Sequence, residues 1–149
     1  MKVRGNEIAI VIVSVGLFAA YFFLPALSVQ VCGSVETLGQ CEPAGYRSLD
    51  GSKMLILQIL GLATGNFSIL ANPALWVSWL LLVFRRYTGA YLSSAIALVL
   101  AVLMVQFVGK PIALDDEGNT IGYLAAPREG LISWVLSMLV VHVAALRAK

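Results

Sequence analysis

The stretch MLILQILGLATGNFSILANPALWVSWLLLVF, residues 54–84, runs for 31 positions without a charged side chain. It is longer than the ~20 apolar residues of one upright transmembrane helix and shorter than two such helices with a turn. Near its middle stand Asn72 and Pro73, a helix-start signal, because asparagine caps a first turn and proline fits the first helical position. We therefore predict two helical pieces separated by a break.

The second piece needs more than the residues after Pro73 to cross a bilayer. The rest of the apolar run rises only ~18 Å as a helix, against a hydrocarbon thickness of ~30 Å. We expect this span to start near Phe67 and to run to Arg86, whose charged head can reach the interface. Broken helices at membrane depth can bind ions or substrates at their ends. Our candidate ligand-binding or hinge residues are accordingly Asn66, Asn72 and Pro73.

The composition is that of an integral membrane protein. Of the 149 residues, 60% are hydrophobic and 12% are charged, whereas soluble domains carry about 25% charged residues. The net charge of +2, without a large basic cluster, argues against nucleic-acid binding. The apolar run after Lys2 and Arg4 resembles a signal peptide. However, Tyr21, Phe22 and Phe23 occupy the place of a small-residue cleavage site, so we predict a retained first helix.

We predict one membrane domain over residues 1–149. Its four transmembrane helices are expected at about 8–26, 67–86, 90–108 and 131–146, and its outward loops at about 31–53 and 109–130. In the second loop, apolar residues alternate with others on both sides of an acidic turn, a pattern typical of a β-hairpin. The predicted fold is thus all-α, with four transmembrane helices, an interrupted second apolar stretch and a small outward β-hairpin.

A stripe of small residues follows one face of the third predicted helix. Its members recur every four positions and are Gly89, Ser93, Ala97 and Ala101. Small side chains let two helices approach closely in lipid. We favour packing within this chain's own bundle, with a contact to another subunit as the alternative.

Basic residues are distributed unevenly about the four apolar runs. The side that holds both termini and the Arg85-Arg86 pair has six basic residues and a single acid, Glu7. The positive-inside rule makes that side cytoplasmic. We therefore expect a multi-pass protein of the bacterial inner membrane, with both termini in the cytoplasm and both long loops facing outward.

The two cysteines of the chain, Cys32 and Cys41, share the first outward loop. A disulfide is the default outside the cytoplasm, so we predict a structural bridge. A redox-active pair is the alternative, but such pairs usually have the spacing Cys-x-x-Cys, and here eight residues intervene. The disulfide-forming and vitamin K epoxide reductase-like quinone oxidoreductases are similar in their four-helix architecture only.

The remaining candidates for chemistry are His142 and the acidic run at 115–117. His142, the single histidine, lies near the end of the fourth helix, where an imidazole can satisfy free carbonyl groups; ligation of haem or a metal is the alternative. Asp115, Asp116 and Glu117 lack the spacing of a Ca²⁺-binding loop. We therefore predict no catalytic residue, no metal site and no cofactor.

The run from Gly51 to Trp76, which contains Gly61, Asn66-Phe67 and Ala71-Asn72-Pro73, resembles a pattern in small bacterial four-helix membrane proteins of uncharacterised function. In that group the fourth helix often opens with Gly-Tyr-x-Leu-Trp, to which Gly130-Leu-Ile-Ser-Trp134 is a partial match. The resemblance implies the four-helix topology and assigns no activity.

These patterns favour a non-enzymatic accessory or scaffold subunit of an inner-membrane complex, in contact with the lipid bilayer and with other membrane subunits. A small channel or transport component built on the broken segment 64–73 is the first alternative. A quinone-linked thiol oxidoreductase, or another cofactor-bearing membrane subunit, is the second.

Overall fold

The computed structural model describes residues 4–32, 43–62, 65, 67–104, 111–113 and 121–149. The protein is mostly helical, with a small β-sheet. In chain order the elements are α1 (Arg4–Phe23), β1 (Pro25–Cys32), β2 (Pro43–Asp50), α2 (Gly51–Leu62), a 3₁₀ turn (Ser68–Leu70), α3 (Ala71–Val83), α4 (Tyr87–Val102), β3 (Pro111–Ala113), β4 (Ile121–Pro127) and α5 (Glu129–Ala148).

Helices α1, α3, α4 and α5 form a bundle. Helix α5 lies between α1 and α4, and α4 packs in turn along α3. The bundle closes where Trp79 of α3 contacts Ser14 of α1. Its buried interior includes Tyr21, Leu75 and Trp134, one large side chain from each of three helices. Helices α5 and α4 each pack along two neighbours, so the order around the bundle is α1–α5–α4–α3.

The sheet lies at one end of the bundle. Its strands are antiparallel in the order β2–β1–β4–β3, with β1 paired to both β2 and β4. Strand β1 leaves the end of α1 directly, because Pro25 cannot continue the helix, and β4 leads into α5. A bond from the Arg128 amide to the Ala26 carbonyl, 2.9 Å long, joins the two connections. The sheet therefore caps the end where α1 finishes and α5 begins.

Two glycines allow this close approach at the sheet end. A Cβ on Gly130 would lie 2.7 Å from the carbonyl oxygen of Leu24. A Cβ on Gly51 would clash with the carbonyl group of Tyr21. Helices α2 and α5 can therefore begin against the end of α1 only because both positions lack a side chain.

The loop predicted over 31–53 contains regular structure in its described part, and residues 33–42 lie outside the described residues. Strand β1 ends and β2 runs within that range, and α2 begins at Gly51. The signal was present, since Leu27, Val29 and Val31 alternate with Ser28 and Gln30, which is the period of a strand. The first predicted helix ran to Ala26 and so covered the first two residues of β1, whereas α1 ends at Phe23.

The predicted pairing in the second loop is present, in a larger form. Strands β3 and β4 are antiparallel, with Ile112 opposite Gly122, and their intervening turn lies outside the described residues. Strand β4 continues to Pro127 and pairs with β1 as well. The hairpin is thus the edge of a four-stranded sheet rather than an isolated pair of strands.

The interruption predicted within residues 54–84 separates α2 from α3. Gly65 has φ +82, a conformation that glycine adopts without steric cost, and the 3₁₀ turn at Ser68–Leu70 leads into α3. Pro73 lies in the first turn of α3, where its missing N–H costs nothing. The predicted cap is displaced, because Leu70 occupies the N-cap position and Asn72 lies inside the helix.

Two of the described helical segments are long and apolar enough to cross a membrane, namely Gly5–Phe23 and Glu129–Ala148. The other two apolar segments of the bundle, Ser68–Val83 and Tyr87–Val102, are shorter. Helix length therefore supports two spans rather than the four that were predicted. The expected helix over 67–86 stops at Val83 because residues 84–86 turn. Within the helix expected over 90–108, α4 ends at Val102, and residues 105–108 lie outside the described residues.

The small-residue stripe of α4 faces the chain's own helices. Ala97 and Ala101 are buried. The hydroxyl of Ser93 donates to the carbonyl of Ala74 on α3, at 2.6 Å. A Cβ on Gly89 would lie 3.1 Å from the side chain of Leu81, also near the end of α3. The stripe thus forms the close contact between α3 and α4.

Replacing Ala97 by leucine tests this packing. Ala97 is fully buried, so three additional carbon atoms overpack the core and we expect a loss of about 1–3 kcal/mol in the free energy of unfolding. Denaturant titration of the isolated protein in detergent measures it. The matched control is Val99→Leu two residues away, where the side chain is 67% exposed and a change within about 0.5 kcal/mol is expected. Equal stability of the two variants would contradict the burial of the stripe.

Candidate functional site

A hydrogen bond joins two buried polar side chains in the interior of the bundle, near the sheet end. Trp134 of α5 donates from Nε1 to Oδ1 of Asn72 on α3, at 2.8 Å. The ring of Tyr21 from α1 stacks on Trp134, with 5.7 Å between the centroids. Three helices therefore meet where this hydrogen bond lies beside the ring of Tyr21.

Serine hydroxyls form further hydrogen bonds that join α1 to α3 and α5. Ser14 receives the indole N–H of Trp79 at 2.8 Å and donates to the carbonyl of Ser137 at 2.7 Å. Ser133 donates to the carbonyl of Leu17 at 2.7 Å. Such interhelical bonds and small side chains stabilise helix packing in an apolar medium. These polar groups of the interior are engaged in holding the helices together.

The residues predicted to bind a ligand or act as a hinge are only partly brought together. Asn72 is buried and its side-chain oxygen is engaged by Trp134. Pro73 lies beside it in the first turn of α3. Asn66 lies outside the described residues. The structure therefore gives Asn72 a packing role, and the role of the break as a ligand site stays a prediction.

The other predicted residues have separate locations. His142 contacts α4 rather than the carbonyls of its own helix end, with Nδ1 3.1 Å from the Ser94 hydroxyl and the ring stacked on Tyr91. Cys32 ends β1 and is not a free cysteine, whereas Cys41 lies outside the described residues, so the bridge stays a prediction. The acidic run 115–117 also lies outside them. Within the described part of the chain, no group of three His, Cys, Asp or Glu could hold a metal ion.

The bundle end opposite the sheet has a polar cluster that the sequence did not reveal. We call it the charged end; it comprises the start of α1, the turn between α3 and α4, and the end of α5. Glu7 is 7% exposed and accepts a hydrogen bond from the Tyr87 hydroxyl at 2.8 Å. The Nε atom of Arg85 lies 3.9 Å from the same carboxylate oxygen. The Glu7 Oε2 atom has no hydrogen-bond partner among the described residues.

The turn between α3 and α4 holds Arg85 in an unusual backbone conformation. Its φ of 58° is in the left-handed region, where a helix C-terminus normally has glycine. Amides of this turn return to α3, since the Arg86 N–H bonds the carbonyl of Leu81 at 2.8 Å. A side chain in this conformation costs roughly 1–2 kcal/mol relative to the ordinary helical one. The turn therefore has an arginine at position 85 although the backbone conformation there is unfavourable for a residue with a side chain.

Two cavities adjoin the charged end. The first, of about 690 Å³, has walls of apolar side chains that include Leu82 and Val143, and Glu7 and Tyr87 also line it. The second, of about 620 Å³, is lined by Arg85, Arg86, Lys149 and neighbouring residues of the turn. Tyr87 and Ala148 belong to both linings. An apolar slot and a cationic recess thus lie side by side.

The sequence contained one clue to this cluster. Glu7 is the single acid among the basic residues of that side, and an isolated acid in such a place calls for a cationic or hydroxyl partner. Tyr87 follows Arg85 and Arg86 directly in the sequence. Glu7 and Tyr87 are 80 residues apart, however, and the sequence does not show which helices are neighbours. Their contact could therefore not be predicted.

Comparisons with protein families, with curated proteins and with solved structures found no match for this chain. The resemblance to small four-helix membrane proteins therefore stays a prediction. Its two parts do meet in space, because Asn72 belongs to one and Trp134 to the other. In this chain both motifs serve the packing of α3 against α5.

A double-mutant cycle tests the central hydrogen bond. Trp134→Phe leaves the Asn72 oxygen unpaired in an apolar interior, and Asn72→Leu does the same to the indole N–H. We expect each single change to lower the free energy of unfolding in detergent, with a coupling energy of about 1–2 kcal/mol between them.

The control cycle pairs Trp76→Phe with Asn72→Leu. Trp76 lies on the same helix as Asn72 but is 49% exposed. Its coupling with Asn72 should be close to zero. Equal coupling in the two cycles would contradict a specific bond between Trp134 and Asn72.

Proposed function

We propose that this chain is a multi-pass membrane protein whose four bundle helices lie in the bilayer. The observation that carries the proposal is the exposure of large apolar side chains on all four helices. They include Ile12 on α1, Leu80 on α3, Val99 on α4 and Leu136 on α5, each between 42% and 67% exposed. A helix of a water-soluble bundle presents polar residues on its outer face. An apolar surface around the whole bundle is suited to lipid chains.

The shorter helices are compatible with this placement. The segments Ser68–Val83 and Tyr87–Val102 have 16 residues each, which corresponds to a rise of ~24 Å. A bilayer accommodates a short span by local thinning and by flanking charges that reach the interface. Arg85 and Arg86 between these segments are such flanking charges.

The proposed orientation follows from the separation of charge between the two ends. Arg85, Arg86, Arg147 and Lys149 lie at the charged end, where α3 turns into α4 and α5 finishes. The positive-inside rule assigns the charged end to the cytoplasm. In a bacterium, the sheet then lies on the outer side of the inner membrane.

Within that membrane we propose a non-enzymatic accessory or scaffold role. The interior side chains of Ser14, Asn72 and Ser133 form hydrogen bonds between helices. This is the arrangement expected of a protein whose interior polar groups serve helix packing. On the outer surface, the half-exposed Trp76 forms an edge contact with Phe18 where α1 meets α3. Large aromatic side chains are frequent anchors of protein contacts, so this seam is our candidate subunit surface.

The transport alternative receives less support from the same contacts. A route along the bundle axis would have to pass Tyr21, Trp134 and Asn72, which fill the interior near the sheet end, with Tyr21 stacked on Trp134 and Trp134 hydrogen-bonded to Asn72. Transport through the break in residues 64–73 needs a path beside the bundle. For the oxidoreductase alternative, Cys32 lies at the end of a strand rather than in the bundle interior.

Accessibility labelling tests the proposed topology. In a background without Cys32 and Cys41, single cysteines at Ser34 and Asn119 should react with a membrane-impermeant maleimide added to intact cells. Cysteines at Arg86 and Lys149 should react only after permeabilisation. Labelling of the Lys149 position from outside would contradict the four-span arrangement.

Purification from native membranes in a mild detergent tests the accessory role. We expect defined membrane partners to co-purify, and Trp76→Ala to release them while the chain stays folded. Leu92→Ala is the control, because Leu92 is 55% exposed on α4, a different face. A chain that purifies alone, and whose removal from the cell leaves every membrane complex intact, would refute this role.

A further inference from the structure

We propose that the charged end binds one anionic phospholipid, with its phosphate among Arg85, Arg86 and Lys149 and an acyl chain in the adjoining apolar cavity. This inference deepens the proposed function, since it rests on a bilayer around the bundle. It does not depend on which side the charged end faces, nor on a partner subunit.

The first support is unbalanced positive charge. Arg86, Arg147 and Lys149 have no carboxylate partner among the described residues. Lys149 instead lies over the ring of Tyr91, 5.4 Å from its centroid. Glu7 is the single described acid at this end, and it also accepts from Tyr87. A phosphate group would supply the missing negative charge, and basic clusters beside membrane helices attract anionic lipids.

The second support is the backbone at Arg85. The left-handed φ of 58° favours glycine, yet an arginine occupies the position. Glu7 lies 3.9 Å from its Nε atom and so draws that edge of the guanidinium towards α1. Arginine binds phosphate in a planar, directional manner, so an orientation fixed from one edge prepares the group for an anion. Backbone strain of this kind is concentrated at functional sites.

The third support is that the two cavities are adjacent. The apolar cavity of about 690 Å³ and the cationic one of about 620 Å³ share Tyr87 and Ala148 in their walls. Both volumes are within the roughly 300–1,000 Å³ of ligand pockets. A soluble anion would use only the cationic recess. An amphiphile with an acyl chain uses both, which selects a lipid over free phosphate.

Binding of phosphatidylglycerol to the full-length chain in detergent tests the headgroup contact. Native mass spectrometry gives the affinity across a lipid titration. Arg86→Gln should weaken binding about fivefold, the effect of removing one cation beside an anionic headgroup. Arg47→Gln, the same change on the exposed β2 strand at the opposite end, should leave the affinity unchanged. Equal weakening by both variants would overturn the site in favour of diffuse attraction.

Phosphatidylcholine with identical chains tests the need for net negative charge. It should bind the wild-type chain at least fivefold more weakly than phosphatidylglycerol, and Arg86→Gln should narrow that difference. Equal binding of the two lipids would overturn the proposal.

The acyl-chain contact has its own pair of variants. Val143 lines the apolar cavity and is 41% exposed. Val143→Phe fills the slot and should weaken phosphatidylglycerol binding, whereas Val13→Phe on the outer face of α1 should not. The water-soluble headgroup glycerophosphoglycerol should compete poorly. If it competes as well as the lipid, or if Val143→Phe has no effect, the acyl chain does not occupy the cavity and the proposal fails.

Two further observations separate loss of the lipid site from unfolding of a variant and from failure of the proposed function. The melting temperature of each variant without added lipid should match that of the wild type, because Arg86→Gln leaves the contact between Arg85 and Glu7 in place. Partner capture and topology labelling do not involve this lipid. Selective lipid binding by a lone chain would thus uphold the site while the accessory role fails, and loss of lipid selectivity would overturn the site alone.

Discussion

The hydrogen bond between Trp134 and Asn72 is the contact on which the bundle depends. It lies in the buried interior near the sheet end, where α1, α3 and α5 meet, and Tyr21 covers one face of the indole. In an apolar interior, neither the indole N–H nor the amide oxygen can find water as a substitute. Separating α3 from α5 therefore leaves two unpaired polar groups, and this cost selects one register between the helices. The serine bonds from Ser14 and Ser133 repeat the same principle between α1 and α5.

The two ends of the bundle differ in structure and in charge. At the sheet end, the described chain that leaves the helices pairs its backbone groups across β2–β1–β4–β3, which satisfies their hydrogen bonds. At the charged end, Arg85 lies beside Glu7, and the basic side chains adjoin an apolar cavity. This polarity along the axis is the arrangement expected of a protein that meets two different aqueous faces across a bilayer.

The sheet illustrates what a local pattern can and cannot reveal. The alternation on both sides of the acidic run predicted the β3–β4 pairing, since a hairpin is formed by neighbours in sequence. Strand β1 has the same alternation, but it follows an apolar helix directly and was assigned partly to that helix and partly to a loop. Its partner β4 lies some hundred residues away, as Leu27 opposite Pro127 illustrates. Nothing local to β1 announces that partner, so its strand character was missed.

The sequence by itself determined the helices and the break, because apolar length, proline and glycine act on the nearest residues. It also determined the separation of basic from acidic residues along the chain. Any packing of these helices keeps that separation. Only the tertiary structure decided that Asn72 bonds Trp134 instead of capping α3, and that Glu7 meets Tyr87 and Arg85. These contacts join residues 62 to 80 positions apart in the chain. Which side chains meet at that distance depends on how whole helix faces pack, and no local period encodes the choice of neighbour.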